Sequence, residues 1–171
     1  MLLHINTTSD WQMTARLSNG DQRSEYVSAA ILAAQEYCRD NRLQFTDTRR
    51  RVLEILLEAE LPLGAYAILS QLNDEGFGSQ PPVAYRALDF LESNGFVHKV
   101  DRLAAYVACA NPHQPHSPSF LICRNCGSVQ EARITSPHRA VRAAARAGGF
   151  RIERESIEAV GICASCSSSG H

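Results

Sequence analysis

The sequence predicts an α+β protein built from two small units. Four segments that carry apolar residues at three- and four-residue steps come first, and two short β-rich runs around a turn follow them. Two Cys-x-x-Cys pairs then bracket a second group of short strands and one helix. We therefore expect an N-terminal winged helix-turn-helix, followed by a small α/β dimerisation domain that is stapled by a four-cysteine zinc site.

Composition narrows the class of protein. The chain has 171 residues, of which 44% are apolar and 20% charged, so it can form ordinary hydrophobic cores. Its net charge of −1 neither requires nor excludes a nucleic-acid partner. Residues 1–6 are too short and too polar for a signal peptide, and no run approaches the ~18 apolar residues of a membrane span. We expect a cytoplasmic protein without a membrane partner.

The N-terminal region predicts an extension and then a helix. Residues 1–23 are mostly polar and show no hydrophobic period, which predicts a flexible extension. A first helix is predicted over residues 25–42, where apolar residues recur at helical spacing at Val27, Ala30, Ile31, Ala34, Tyr37 and Cys38. Because Cys38 lies on this stripe, we interpret it as a buried free thiol rather than a metal ligand.

The second and third helices follow closely. Thr46 is a suitable N-cap for the second helix, and Pro62 marks its end. Arg49, Arg50 and Arg51 at its start are equally consistent with phosphate contacts and with a solvated face. A third, short helix is then ended by glycines, and its apolar stripe lies at Ala65, Ile68, Leu69 and Leu72.

The fourth helix carries the candidate DNA-reading residues. It opens at the Pro-Pro pair of residues 81–82 and stops at the Asn-Gly pair of residues 94–95. Its other face presents Tyr85 and Arg86. In a winged helix this element lies in the major groove, where Arg86 can read a guanine edge and Tyr85 a thymine methyl or a phosphate. The alternative is that both are ordinary surface residues. The predicted buried face consists of Ala84, Ala87, Leu88 and Leu91.

A wing and a hinge complete the first unit. The β-rich runs 96–100 and 104–109 predict the hairpin of the wing, and a loop with three prolines and two histidines follows. We accordingly divide the chain into a flexible extension at 1–23, a winged-helix DNA-binding domain at 24–109, a hinge loop at 110–118 and a dimerisation domain at 119–171.

The second unit is predicted as two strands, a helix and a last strand. An apolar run at 120–122 is the first strand and Val129 begins the second. The helix runs from Ser136 to about Ala147, and the last strand spans 150–160. A unit this small buries little apolar area by itself, and zinc and dimerisation are the usual remedies.

The four cysteines of the two pairs suit a structural zinc ion. Cys123 and Cys126 form the first pair, and Gly127 lets the backbone turn beneath a metal. Cys163 and Cys166 form the second pair, and four thiolates leave no open coordination position. The alternative is a redox dithiol or a disulfide, although neither pair has the strand-to-helix context of a thioredoxin motif.

A second set of ligand-type residues surrounds the predicted junction. Two imidazole nitrogens, one thiolate and one carboxylate suit tetrahedral Zn²⁺, and the thiolate argues against Mg²⁺ or Mn²⁺. Spacing alone also allows four unrelated polar residues. His113 is a rival to His116 within the loop, and His138 is a poorer rival because it lies on the face of the predicted helix. The set consists of His98, Cys109, His116 and Glu131.

Several segments resemble the ferric uptake regulator family, over about residues 25–166. They are residues 46–57, the segment Pro-Pro-Val-Ala-Tyr-Arg-Ala-Leu at 81–88, the segment Gly-Phe-Val-His-Lys-Val at 95–100, and the two cysteine pairs. A cysteine at the end of the second wing strand, here Cys109, resembles the pattern of the zinc uptake regulator branch. The iron and peroxide branches instead carry a histidine cluster after the wing.

The resemblance implies a homodimeric, zinc-responsive transcriptional repressor of zinc uptake and homeostasis genes, which binds a double-stranded DNA operator. It implies two Zn²⁺ per chain, a structural ion at the four cysteines and a regulatory ion at His98, Cys109, His116 and Glu131. It also implies DNA contacts from Tyr66, Tyr85 and Arg86. No enzymatic activity and no small-molecule substrate are expected. The alternatives are an iron-, manganese- or peroxide-sensing regulator of the same family, or a zinc-dependent hydrolase.

Overall fold

The computed structural model describes residues 20–112, 116–132 and 134–168. Helices and short strands alternate along these residues as the α+β prediction requires, which confirms the fold class. Of the predicted extension, residues 1–19 lie outside the described residues and residues 20–23 belong to the first helix. Among the described helices, none is both long enough and apolar enough to cross a membrane.

Four helices form the first core. Their bounds are α1 (Gly20–Asp40), α2 (Asp47–Glu58), α3 (Ala65–Asp74) and α4 (Pro81–Ser93). The predicted N-cap of α2 is confirmed, because the Thr46 hydroxyl accepts a hydrogen bond of 3.4 Å from the Arg49 amide. The apolar stripes point into one core, in which Cys38, Val52, Ile68, Leu72, Ala84, Leu88 and Leu91 are buried.

The end of α4 turns the chain into the wing. The amides of Gly95 and Phe96 donate to the carbonyls of Glu92 and Leu91 at 3.1 and 2.9 Å. Gly95 has a φ of +74°, a conformation that glycine adopts without steric cost. The predicted Asn-Gly stop is therefore confirmed.

The wing is a three-stranded antiparallel sheet with the order β1-β3-β2. Its strands are β1 (Leu63–Gly64), β2 (Val97–Val100) and β3 (Ala105–Ala108). The predicted hairpin is confirmed, and a 3-10 turn at Asp101–Leu103 joins its two strands. Sequence patterning missed β1 because two residues are too few to show a period of two.

The second sheet has the order β5-β4-β6, with β4 (Ser119–Cys123), β5 (Val129–Glu131) and β6 (Ile157–Gly161). Strand β6 runs parallel to β4 after the crossover through α5 (Ser136–Ala147), and α6 (Ala164–Ser168) follows it. The predicted strand at 150–160 is wrong over residues 150–156. Strand β4 starts at Ser119, whose partner is Ile157, so the earlier residues have no strand beside them.

A small apolar cluster joins the two sheets. Val100 and Val107 of the wing pack with Phe120, Ile122 and Val129 of the second sheet. Phe120 is only 1% exposed, so this contact removes a large side chain from water. The cluster places the end of β2 directly against β4.

Candidate metal centres and nucleic-acid surface

The four cysteines of the two Cys-x-x-Cys pairs converge at one end of the second sheet. Cys123 ends β4, and the Gly127 amide donates back to its carbonyl at 3.0 Å, which folds Cys126 beneath it. Cys163 and Cys166 follow β6, the strand beside β4. All four Sγ atoms lie within 4.8 Å of one another, and those of Cys126 and Cys163 are 3.8 Å apart.

The electrostatics of this cluster favour a cation. Backbone amides of Cys126 and Cys163 lower the pKa of the Cys123 thiol to about 6. The neighbouring thiols of Cys163 and Cys126 raise the pKa of Cys166 to about 12, because a crowded group resists further ionisation. A tetrahedral Zn²⁺ with Zn–S bonds of ~2.3 Å needs sulfur separations of about 3.8 Å. The described donors fit that requirement.

The second cluster assembles from the wing, the hinge and the second sheet. His98 lies on β2, Cys109 follows β3, His116 lies in the hinge loop and Glu131 ends β5. The Nε2 atom of His116 is 3.1 Å from Nε2 of His98, 3.7 Å from Sγ of Cys109 and 2.7 Å from Oε1 of Glu131. All four donor atoms lie within 4.8 Å of one another.

Backbone hydrogen bonds hold this second cluster in place. The Cys109 amide donates to the Phe96 carbonyl at 2.9 Å, which fixes the residue beside the start of the wing. Its sulfur accepts from the Asn111 amide at 3.4 Å. Oε2 of Glu131 accepts from the Ala110 amide at 3.1 Å, which leaves Oε1 toward the imidazoles. Backbone hydrogen bonds therefore help to position the thiol and the carboxylate of this cluster.

Burial also prepares the second cluster for a metal. Desolvation lowers the pKa of His98, and the nearby His116 acts in the same direction while Glu131 opposes it. A neutral imidazole is the form that coordinates a metal. Burial raises the pKa of Tyr26 on α1, and the charge of Cys109 adds to that effect. The sequence patterns did not predict that α1 approaches the second cluster, because helical periodicity does not show which distant residues a helix contacts.

Two rival histidines are placed differently. His113 lies outside the described residues. His138 is buried on α5, where Nε2 hydrogen-bonds Ser119 at 2.8 Å and Nδ1 pairs with Glu155 at 2.8 Å. Both ring nitrogens of His138 are therefore engaged away from the second cluster.

The three candidate DNA-contacting residues are exposed. Tyr66 on α3 is 71% exposed and Tyr85 on α4 is 40% exposed. Arg86 is exposed beside Tyr85, while the predicted inward face of α4 is buried. The exposed face is thus available to a partner.

The arginines at the start of α2 are largely committed within the protein. The Arg49 guanidinium stacks over the Phe90 ring at 3.7 Å and donates to the Gln44 carbonyl. Arg51 donates to both carboxylate oxygens of Glu75, at 2.6 and 2.8 Å. Nε of Arg50 is the one buried side-chain nitrogen or oxygen of the described part that has no hydrogen-bond partner.

Several known proteins are similar to this chain in sequence and in structure. The Escherichia coli (strain K12) Zinc uptake regulation protein is 35% identical over 137 residues, which are 80% of this chain and 80% of that protein. The solved structure "Zinc Uptake Regulator Complexed With Zinc AND DNA" is similar with a TM-score of 0.80 and 33% identity, over 84% of this chain and 96% of that chain. "Crystal structure of holo XcZur" is similar with a TM-score of 0.75 and 36% identity, over 82% of this chain and 98% of that chain. The sequence pattern of the Ferric uptake regulator family matches residues 40–160, and the chain belongs to that family, in its zinc uptake regulator branch.

Proposed function

We propose that this chain is a zinc-responsive transcriptional repressor of zinc uptake and homeostasis genes, which acts in the cytoplasm and has no catalytic activity. One observation carries the proposal. His98, Cys109, His116 and Glu131 form a single donor cluster, although they come from the wing, the hinge and the second sheet. Such a cluster can couple metal binding to the placement of α4, the reading helix, which is proposed to enter the major groove.

The proposal assigns two zinc ions to each chain. Cys123, Cys126, Cys163 and Cys166 would hold a structural ion, and His98, Cys109, His116 and Glu131 a regulatory one. A bound Zn²⁺ supplies a positive centre that balances the thiolates and the carboxylate and prefers four ligands. Cys109 favours zinc over manganese or magnesium and makes iron a poorer occupant, which argues against the alternative sensors of the same family.

The cluster residues can transmit metal occupancy because they lie on different segments. His98 and Cys109 move with the wing, whereas Glu131 moves with the second sheet. Without a cation, burial of these donors is opposed by the cost of desolvating charged groups. Zinc binding therefore favours the orientation in which all four donors meet, and DNA and zinc should strengthen each other's binding equally.

We divide the chain into a DNA-binding domain at 24–109, a hinge loop at 110–118 and a dimerisation domain at 119–171. The proposed DNA-contacting surface lies on the first of these. Tyr66, Tyr85 and Arg86 would contact a double-stranded operator, with α4 in the major groove. The similarity to a zinc uptake regulator solved with zinc and DNA supports this surface.

Dimerisation of the second unit completes the proposal. Within α5 only His138 is buried, which leaves the rest of this helix largely uncovered in one chain. Large apolar side chains of this unit are exposed at Leu121, Val141, Phe150, Val160 and Ile162. A second copy that covers them would give the two reading helices a fixed spacing, as pseudo-palindromic operators require.

The test measures zinc per chain together with specific DNA binding, before and after mild chelation. Two ions per chain, one of them removable with loss of specific DNA binding, are expected. A single tightly held ion with DNA binding that ignores chelation would instead describe a constitutive DNA-binding protein.

A further inference from the structure

The second sheet presents one row of three side chains to the wing. In the strand register, Phe120 of β4 pairs with Glu131 of β5 on one side and with Glu158 of β6 on the other. Paired residues in neighbouring strands project from the same face of a sheet. Phe120 belongs to the apolar cluster beneath the wing, so two carboxylates flank that apolar contact.

Each carboxylate of this row holds a different end of the wing hairpin. Glu131 accepts from the Ala110 amide, just after β3. Glu158 accepts from the amides of Asp101 and Arg102, at 2.7 and 3.1 Å, in the turn between β2 and β3. Only the Glu131 side of the row belongs to the metal cluster.

An arginine side chain adds further contacts on the Glu158 side of the row. The Arg154 guanidinium donates to both oxygens of Asp101, at 3.0 and 2.9 Å, and lies 3.1 Å from Glu92 in the last turn of α4. Arg154 thereby connects the second unit to the wing turn and to the end of the reading helix. We call Glu158 and Arg154, with their partners Asp101, Arg102 and Glu92, the wing latch.

We infer that the wing latch is a metal-independent device that holds the wing and α4 in the DNA-competent orientation, and so sets the zinc concentration at which the protein responds. The inference rests on the proposed function. Glu158 and Arg154 are positioning residues, since neither belongs to the donor cluster and the polar contacts described above go to the wing turn and to Glu92.

Linkage determines what loss of the latch does. The latch contacts exist only when the wing lies against the second sheet, which is also the arrangement that assembles the donor cluster. Removing the latch lowers the fraction of chains already in that arrangement, and the apparent zinc affinity falls by the same factor. Saturating zinc restores the arrangement, so the maximal DNA affinity is preserved.

The two halves of the latch should differ in strength. The Arg154 side chain is 56% exposed and Asp101 is 50% exposed, and ion pairs of this kind contribute little in water. Glu158 instead accepts two backbone hydrogen bonds at the edge of a buried apolar contact, and charged acceptors make stronger bonds. We therefore place the larger share on Glu158.

The experiment titrates zinc into the full chain while specific DNA binding is followed by fluorescence anisotropy. For Glu158→Ala, the zinc midpoint should rise about tenfold, and for Arg154→Ala about threefold, with unchanged DNA affinity at saturating zinc. Arg151→Ala is the matched control, because Arg151 is 87% exposed and pairs with Glu153, two residues away. Its midpoint should equal that of the wild type.

Hydrogen exchange supplies a readout that does not depend on DNA or on the regulatory zinc. In Glu158→Ala that keeps the structural zinc but has lost the regulatory ion to mild chelation, the amides of residues 101 and 102 should exchange about tenfold faster than in wild type treated in the same way, whereas amides within α2 should not change. Unchanged exchange at both residues would overturn the latch. Faster exchange with an unchanged zinc midpoint would also overturn it, because the contact would then not govern the response.

The two measurements separate the latch from the proposed function. If wild-type DNA binding ignores zinc, the proposed function fails, and the exchange measurement still decides whether the latch holds the wing. If Glu158→Ala does not fold, as judged by circular dichroism, Arg154→Ala and Asp101→Asn replace it, because both alter exposed side chains. Identical zinc midpoints for these two variants and the wild type would then overturn the inference.

Discussion

The Nε2 atoms of His98 and His116 lie 3.1 Å apart, although one residue belongs to the wing and the other to the hinge loop. Their rings meet edge to face, with centroids 4.9 Å apart. Burial, together with the nearby His116, lowers the pKa of His98, which favours the neutral imidazole that binds a metal. The contact identifies the junction as the place where the two units can be coupled.

Substituting Cys109 should separate sensing from folding. Cys109→Ala removes the thiolate from the second cluster, so the chain should keep one zinc and lose the zinc response of DNA binding. We expect DNA affinity in saturating zinc to fall by about 5–150-fold, the usual range of allosteric coupling. Metal analysis and anisotropy check this, and circular dichroism should match the wild type. A variant that retains both ions would show that Cys109 is not a ligand.

Substituting Cys123 should act on the fold itself. Cys123→Ala removes a buried donor from the four-cysteine cluster that joins β4 to the segment after β6. Structural zinc contributes roughly 10–16 kcal/mol to the folding of small zinc-finger peptides, so a much lower melting temperature and loss of the dimer are expected. Calorimetry and sedimentation measure both. If Cys123→Ala and Cys109→Ala behaved alike, the division into structural and regulatory sites would be wrong.

Arg86 should determine DNA affinity without affecting the zinc affinity of the DNA-free protein. Arg86→Ala removes an exposed guanidinium from α4 and should cost about 1–3 kcal/mol of specific binding. The loss should persist at saturating zinc, in contrast to the latch variants. Footprinting on specific and scrambled DNA measures the change, and Arg139→Ala on α5 serves as the arginine control. Equal loss in both variants would point to a general charge effect.

Ser119 should stabilise the second unit through His138. Ser119 is fully buried, and Ser119→Ala leaves Nε2 of His138 without its partner at 2.8 Å. An unsatisfied buried polar group costs about 1–3 kcal/mol, and each kcal/mol lowers the melting temperature of a chain this size by about 2–4 °C. Thermal unfolding of zinc-loaded protein measures the shift. The exposed Ser79→Ala should leave the melting temperature unchanged, and an equal shift in both would contradict this role.

The Arg51–Glu75 pair should give a measurable pH dependence. Hydrogen bonds from Arg51 lower the pKa of Glu75 below its ordinary value of 4.5. Because the folded-state pKa is depressed, the stabilisation is present above pH 4.5 and is lost as the pH falls through the lower folded value. The difference in unfolding free energy between wild type and Glu75→Gln should therefore shrink in acid. Urea unfolding at several pH values tests this, with the exposed Glu25→Gln as control; a constant difference would contradict the pairing.

Elements that depend on local chemistry could be predicted from the chain alone. Thr46 and the Asn-Gly stop at residues 94–95 act through backbone hydrogen bonds within a few residues, so an end of α2 and an end of α4 are visible in the sequence. The two candidate metal-binding cysteine pairs could also be predicted from the sequence, because a Cys-x-x-Cys turn brings two thiols together before any tertiary contact forms.

Which distant residues meet depends instead on tertiary packing. The spacing of the second set of donors in the sequence did not show whether they form one site. The packing of Phe120 against the wing brings His98 and Glu131 together. The same register sends Glu158 to the wing turn and leaves residues 150–156 outside the sheet, because β4 begins at Ser119. A glutamate in a short strand looks the same in sequence whether it faces water or a neighbouring backbone. Its role here depends on long-range strand pairing, which local patterns do not encode.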